Sequence, residues 1–185
     1  MDNTDMSFDL ATRFLERSRH YLCVEYPAKI AAALRTIPPE QLWWRANDGA
    51  NSAGNLVLHL NGNVRQWIVC GVGGAPDVRR RDVEFATRGG AGCETLLAGL
   101  RATLDEVDGV LSRLTADSLS EPRTIQGRDT TVFAAVYHVV EHFSGHTGQI
   151  ILLAKSFSPG AVRFYDDAGG LARPLFLPDG AHDID

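Results

Sequence analysis

The sequence predicts an all-α protein: an up-down four-helix bundle with an irregular C-terminal tail. Two observations carry this. Four segments place apolar residues at helical spacing, and the links between them are short and punctuated by proline and glycine. A chain of 185 residues with 44% hydrophobic residues suits one domain with its own core. We expect a single unit, with a helical core over about residues 8–156 and a C-terminal wrap over 157–185.

The first helix is expected from about Phe8 to Ile37, with Leu15, Leu22, Tyr26, Ile30 and Leu34 on one face. Pro27 should kink it, and Pro38-Pro39 should end it. His20 has no histidine four residues away and reads as a surface or packing residue. Trp43 and Trp44 fall in the following connection, where tryptophan plugs a core end or walls a pocket. Asn51-Ser52 can cap a second helix from about Ala53 to Cys70. Asn55, His59, Asn63 and Gln66 form a stripe along it with no charge, which fits a buried polar seam better than a solvated face. The Gly-rich stretch from Gly71 breaks this helix and lacks the Lys and Ser/Thr of a phosphate loop. The run Arg79-Arg80-Arg81 can grip an anion or pair with Asp82 and Glu84; a solvated loop is the plainer reading.

A third helix, about Cys93–Leu114, carries a leucine and valine stripe and nothing chemical. An extended piece is expected around Arg123–Gln126. The last helix is expected from about Asp129 to Lys155, with Asp129-Thr130 as capping candidates. Pro159-Gly160 closes the helical part, and the aromatic-bearing tail should wrap the bundle and fray at its acidic end.

Net charge is −5 and the isoelectric point about 5.6, which argues against a nucleic-acid partner. Cys23, Cys70 and Cys93 are scattered and contain no C-x-x-C pair, so neither a disulfide framework nor a cysteine zinc site is implied. The first residues are acidic where a signal peptide is basic, and no apolar run reaches the ~18 residues of a membrane span. A cytoplasmic protein without a membrane partner is the expectation.

The chemistry concentrates in His138-x-x-x-His142-x-x-x-His146. A step of four residues on a helix keeps side chains on one face and climbs about 6 Å. Each adjacent pair has chelating geometry, but His138 and His146 stand about 12 Å apart along the axis, too far for one ion. Spacing alone leaves the 138/142 and 142/146 pairs open and requires a further ligand from another helix. His138-Val-Val-Glu141-His142 also matches the H-x-x-E-H signature of inverzincin proteases. That fold needs a further downstream carboxylate, and no glutamate follows Glu141. Glu141 points about 100° away from His142 and reads as a surface residue, and Ser144 has no dedicated base.

Taken together, Asn55-Leu-Val-Leu-His59-Leu-x-Gly-Asn63-x-Arg-Gln-Trp67 and His138-x-x-x-His142-x-x-x-His146-Thr-Gly148-Gln149 resemble the DinB-like, or YfiT-like, four-helix metalloproteins over roughly residues 8–156. The resemblance implies that His59, His142 and His146 bind one divalent metal, with His138 a neighbour of the site. Asn55, Asn63 and Gln149 are the further pocket candidates. Three imidazoles leave open coordination positions, as at catalytic sites, and suit zinc or nickel alike.

The resemblance also implies thiol chemistry. A metal-activated low-molecular-weight thiol would be transferred to an electrophile, or used in a related hydrolysis or isomerisation, in a homodimeric protein. Arg65 or the Arg79–Arg81 run could hold an acidic group of that thiol. A non-enzymatic metal-binding stress or interaction module is the alternative that the resemblance equally allows.

Overall fold

The computed structural model describes residues 3–170 and 173–177, with side chains from Leu10 onward. The bundle is built from four rods. The first is α1 (Asn3–His20) and α2 (Tyr26–Leu34), joined without a break by a π turn over Tyr21–Glu25. The amide of Tyr26 donates to the carbonyl of Tyr21, five residues back. Pro27 follows at once, in the first turn of α2. The regular ladder is already widened where proline withdraws its N–H, so the chain stays helical.

The second rod is α3 (Ala53–Val64), continued by a π-helical stretch over Arg65–Val72. Ser52 caps it: its Oγ accepts the Asn55 amide at 3.1 Å, while Asn55 Oδ1 accepts the Ser52 amide at 3.3 Å. The third rod is α5 (Cys93–Leu111), three residues shorter than expected at its C-terminus, where it ends in tight turns. The fourth is α6 (Val132–Phe157). It starts later than expected because Asp129 and Thr130 belong to a strand, and Thr131 Oγ1 instead caps the Ala134 amide at 3.2 Å.

Between the second and third rods lies a short helix that the sequence did not announce, α4 (Arg81–Ala86). The expected extended piece is one arm of a hairpin, β1 (Pro122–Ile125) paired with β2 (Arg128–Thr131). Gln126 and Gly127 make its two-residue turn with φ of 54° and 71°, the conformation a tight hairpin needs at both positions.

The tail carries a small ladder, β3 (Tyr165–Asp166) against β4 (Arg173–Pro174). Its Phe176 ring lies 4.7 Å beneath the Lys29 ammonium on the first rod. The acidic end expected to fray, residues 178–185, lies outside the described residues.

The apolar stripes meet as anticipated. Leu22, Ile30, Leu34, Leu56, Leu60, Leu100, Leu104, Phe143 and Ile150 are sealed from solvent, and α3 packs on both α5 and α6. Each sealed aliphatic chain contributes roughly 1.5–3 kcal/mol. Both tryptophans of the connection pack, and Trp43 also walls a surface cavity with Leu34 and Leu42. Trp43 donates to Ala91 O at 3.0 Å and lies flat on Gly54, where a Cβ would fall 2.8 Å from the ring. Trp44 stands edge-on to Phe157. His20 is half-buried against Tyr21, with Glu25 3.8 Å away.

Among the described residues no helix is long and apolar enough to cross a membrane.

Candidate metal centre

The polar stripe of α3 turns inward. Asn55, His59 and Asn63 are 0%, 4% and 4% exposed. Because α3 packs against α6, His59 meets the histidine ladder of the last helix. One ring nitrogen from each of His59, His142 and His146 lies within 4.8 Å of the other two, and His59 Nε2 is 3.0 Å from His142 Nε2. His138 stands one turn away, its ring 4.2 Å from Trp67 and 5.4 Å from His142. Geometry thus separates the two pairs that spacing left equal: 142 and 146 converge with His59, and 138 packs beside them.

Two outer contacts fix which nitrogens face the cluster. Glu84 Oε2 lies 2.9 Å from His59 Nδ1. Arg79 Nη2 lies 3.1 Å from the same nitrogen, so Nδ1 is occupied by this carboxylate–guanidinium pair and Nε2 is the nitrogen left facing His142. Gln149 Oε1 lies 2.8 Å from His146 Nδ1 and sets that ring the same way.

Burial and then the neighbouring cationic groups push His142 down to about 3, and burial lowers His146 and His138. The imidazoles of the last helix are therefore neutral at physiological pH, the form that binds metal. Convergent lone pairs with hydrogen-bond acceptors behind the rings are the pattern of histidine metal sites, and the group can hold a metal ion. Close by on the same helices, Asn63 Oδ1, Trp67 Nε1 and Thr147 Oγ1 are buried without a partner, so polar capacity remains beside the rings.

The pairing of the arginine run with Glu84 that the sequence offered is present in Arg79, but sequence reasoning missed that the segment 76–90 delivers this pair and Phe85 to His59. Arg79 clamps Glu84 with both arms, Nε to Oε1 at 2.7 Å and Nη2 to Oε2 at 2.7 Å, and its Nη1 donates to Gln66 Oε1 at 2.8 Å. Burial raises the Glu84 carboxyl, but the bonds and charge from Arg79 and His59 outweigh it, and the net shift is downward. The carboxylate rests on Gly62, where any Cβ would overlap it. Phe85 sets its ring 4.7 Å from that of His59.

Asn55 anchors the segment: its Nδ2 donates to the carbonyls of Glu84 and Thr87 at 2.8 and 2.9 Å. A hint in the sequence that Glu84 meets α3 was Gly62, one turn after His59 on a helix where glycine costs about 1 kcal/mol. Of the arginines expected to meet an anion, Arg79 is spent on Glu84, and Arg65 pairs with Glu106.

The profile of a family described as "protein of unknown function (DUF1572)" matches residues 9–164. The chain belongs to the DUF1572 family. Two solved structures share its fold. A DinB-like protein from Bacillus cereus ATCC 10987 has 18% identity and a TM-score of 0.58, over 73% of this chain and 89% of that one. The DinB-like protein YjoA from Bacillus subtilis has 16% identity and a TM-score of 0.60, over 81% of this chain and 97% of that one. At these identities the likeness is one of fold, and it makes this DUF1572 chain a DinB-like helical bundle. A search of the curated proteins finds no significant match.

Proposed function

We propose that this DUF1572 protein binds one divalent metal ion, zinc or nickel, through His59, His142 and His146. The observation that supports this most is the convergence of one ring nitrogen from each within 4.8 Å, with Glu84 and Gln149 holding the Nδ1 atoms of His59 and His146. A bound ion would supply Lewis acidity, lowering the pKa of a coordinated water or thiol toward neutrality. The protein's part is to hold three imidazoles in place, with Glu84 and Gln149 fixing the orientation of two of them.

We further propose that the protein is an enzyme that presents a low-molecular-weight thiol to an electrophile, working as a cytoplasmic homodimer. The DinB-like resemblance motivates thiol chemistry, and the chain's own cysteines favour an external sulfur. Burial raises Cys23 to about 12 and also raises Cys70 and Cys93, so all three are poor nucleophiles.

The test has two stages. Metal analysis of dialysed protein should give one ion per chain, lost in His59→Ala, His142→Ala and His146→Ala and only weakened in His138→Ala. If His138→Ala loses the ion while His146→Ala keeps it, the ligand set is wrong. Metal-loaded protein and a cysteine-free variant should then both consume a thiol with an electrophile, screened over bacillithiol, mycothiol, glutathione and coenzyme A. No metal-dependent consumption in any pairing leaves a non-enzymatic metal-binding module as the reading.

A further inference from the structure

Beside Phe85, the same segment and the connection before α3 form a cleft of about 470 Å³ lined by Arg45, Arg81, Arg88, Asp48 and Phe85. Three guanidiniums face one carboxylate. Among the described residues none of the three makes an ion pair. Arg45 Nη2 donates to Asn55 Oδ1 and to the Phe85 carbonyl, at 2.8 and 2.5 Å. Arg88 Nη1 donates to the carbonyls of Phe85, Ala86 and Thr87, at 2.7, 2.8 and 3.2 Å. The Arg81 guanidinium lies 4.8 Å over the Phe85 ring. These partners are neutral, so they orient the arginines without discharging them.

Elsewhere the protein does pair its arginines: Arg19 with Asp108, Arg35 with Glu94, Arg65 with Glu106 and Arg79 with Glu84. Arg45 Nε is moreover buried with no acceptor. Burial and then the like charge of Arg88 lower the Arg45 pKa, and the charge of Asp48 only partly offsets them. Like charges held close, with a donor still unused, are what an oxyanion relieves.

We propose that this cleft is a binding site for a small oxyanion, a carboxylate or a phosphate group, held by Arg45, Arg81 and Arg88. Phe85 is the shared wall, since one ring touches both Arg81 and His59. Resting on the metal-centre reading, the corollary is that the small molecule served by the histidines carries an acidic group, seated in this cleft.

Calorimetric titration at low ionic strength with inorganic phosphate and, separately, with succinate tests the site and tells the two anion types apart. Saturable binding of at least one is expected. Arg81→Gln should weaken it about tenfold, the loss of one charge-assisted contact. Arg81 is exposed and stacks on Phe85, so its replacement should leave the fold intact, as a circular dichroism melt verifies. Arg88→Gln should act alike, and Arg65→Gln, whose guanidinium already pairs with Glu106, should change nothing. Binding of neither anion, or equal binding by wild type and Arg81→Gln, overturns the proposal. Repeating the titration with His142→Ala separates the two sites. Retained anion binding is expected there whether or not wild-type protein holds metal, and its loss would overturn the cleft as an independent site.

Discussion

Glu84 Oε2 lies 2.9 Å from His59 Nδ1 while Arg79 grips both carboxylate oxygens. The carboxylate is thus shared between a cation that fixes it and an imidazole that it fixes. Its position depends on a six-residue helix, on Asn55 beneath that helix, and on the missing side chain of Gly62.

Glu84→Gln keeps an acceptor for His59 but loses the charge that holds Arg79. Metal affinity should fall by about 10–100-fold, the usual effect of disturbing the partner of a metal-bound histidine. Glu84→Ala leaves a buried arginine unpaired and should also cost roughly 3 kcal/mol of stability. Competition with a chelator and a urea titration check the two halves. Unchanged affinity in Glu84→Ala would remove the carboxylate from the site.

Gly62→Ala isolates the same relationship from the other side. At an ordinary helical position this change stabilises by about 1 kcal/mol. Here the new Cβ overlaps the Glu84 carboxylate. We expect a lower melting temperature and weaker metal binding, read by calorimetry and the chelator assay. A variant that melts higher and binds metal as before would show that Glu84 moves aside freely.

Much of this bundle is legible in the sequence, and the reasons are physical. The α3 and α6 stripes repeat at 3.6 residues over several turns, so helix and facing side can be read directly, and Ser52 announces the start of α3 through a short-range bond. The segment 76–90 gives no such signal. Six residues of α4 are too few to show a period, and Glu84 matters only because folding carries it to His59, 25 positions away. The hairpin hid for a different reason. Its turn places Gln126 at positive φ, where asparagine or glycine would have marked it. His138 and His146 were equivalent by spacing and were told apart at the sequence level only by the family resemblance; in the fold the height of His59 on the neighbouring rod distinguishes them.

Stability of the metal-free protein should depend on pH through the histidines. His138, His142 and His146 have lowered folded pKa values, His142 about 3 against 6.5 unfolded. Below pH 6.5 the unfolded chain takes up protons that the folded chain refuses. Stability is therefore full above about pH 6.5 and is lost as pH falls toward 3. From pH 7 to 5 the loss should be roughly 1 kcal/mol, discounted for partial exposure of these rings. Urea titrations of chelator-treated protein at the two pH values measure it, and a flat profile would contradict the placement of these rings.

The homodimer proposal makes a surface prediction. Phe133 and Tyr137 are 47% and 59% exposed, stacked with centroids 6.3 Å apart, and Phe133 meets Phe14 on α1. Tyr137→Glu should shift light-scattering mass from about twice the chain's 20.1 kDa toward that value. Wild-type protein already at 20.1 kDa across concentrations would end the proposal.

The π stretch over Arg65–Val72 works as a slip joint in the second rod. Each widened turn admits a residue beyond the α-helical count and so shifts the sequence register of everything after it. Upstream, His59 is keyed to the histidines of α6; downstream, Gly71 lies under Ile125 of the hairpin, where a Cβ would come within 2.5 Å. The joint lets each end keep its own register. A residue gained or lost between positions 65 and 72 would therefore be taken up as one more or one fewer widened turn, and neither the hairpin end nor the histidine end need rotate. Such an indel inside a continuous helix would look like an alignment error and leave both contacts where they are.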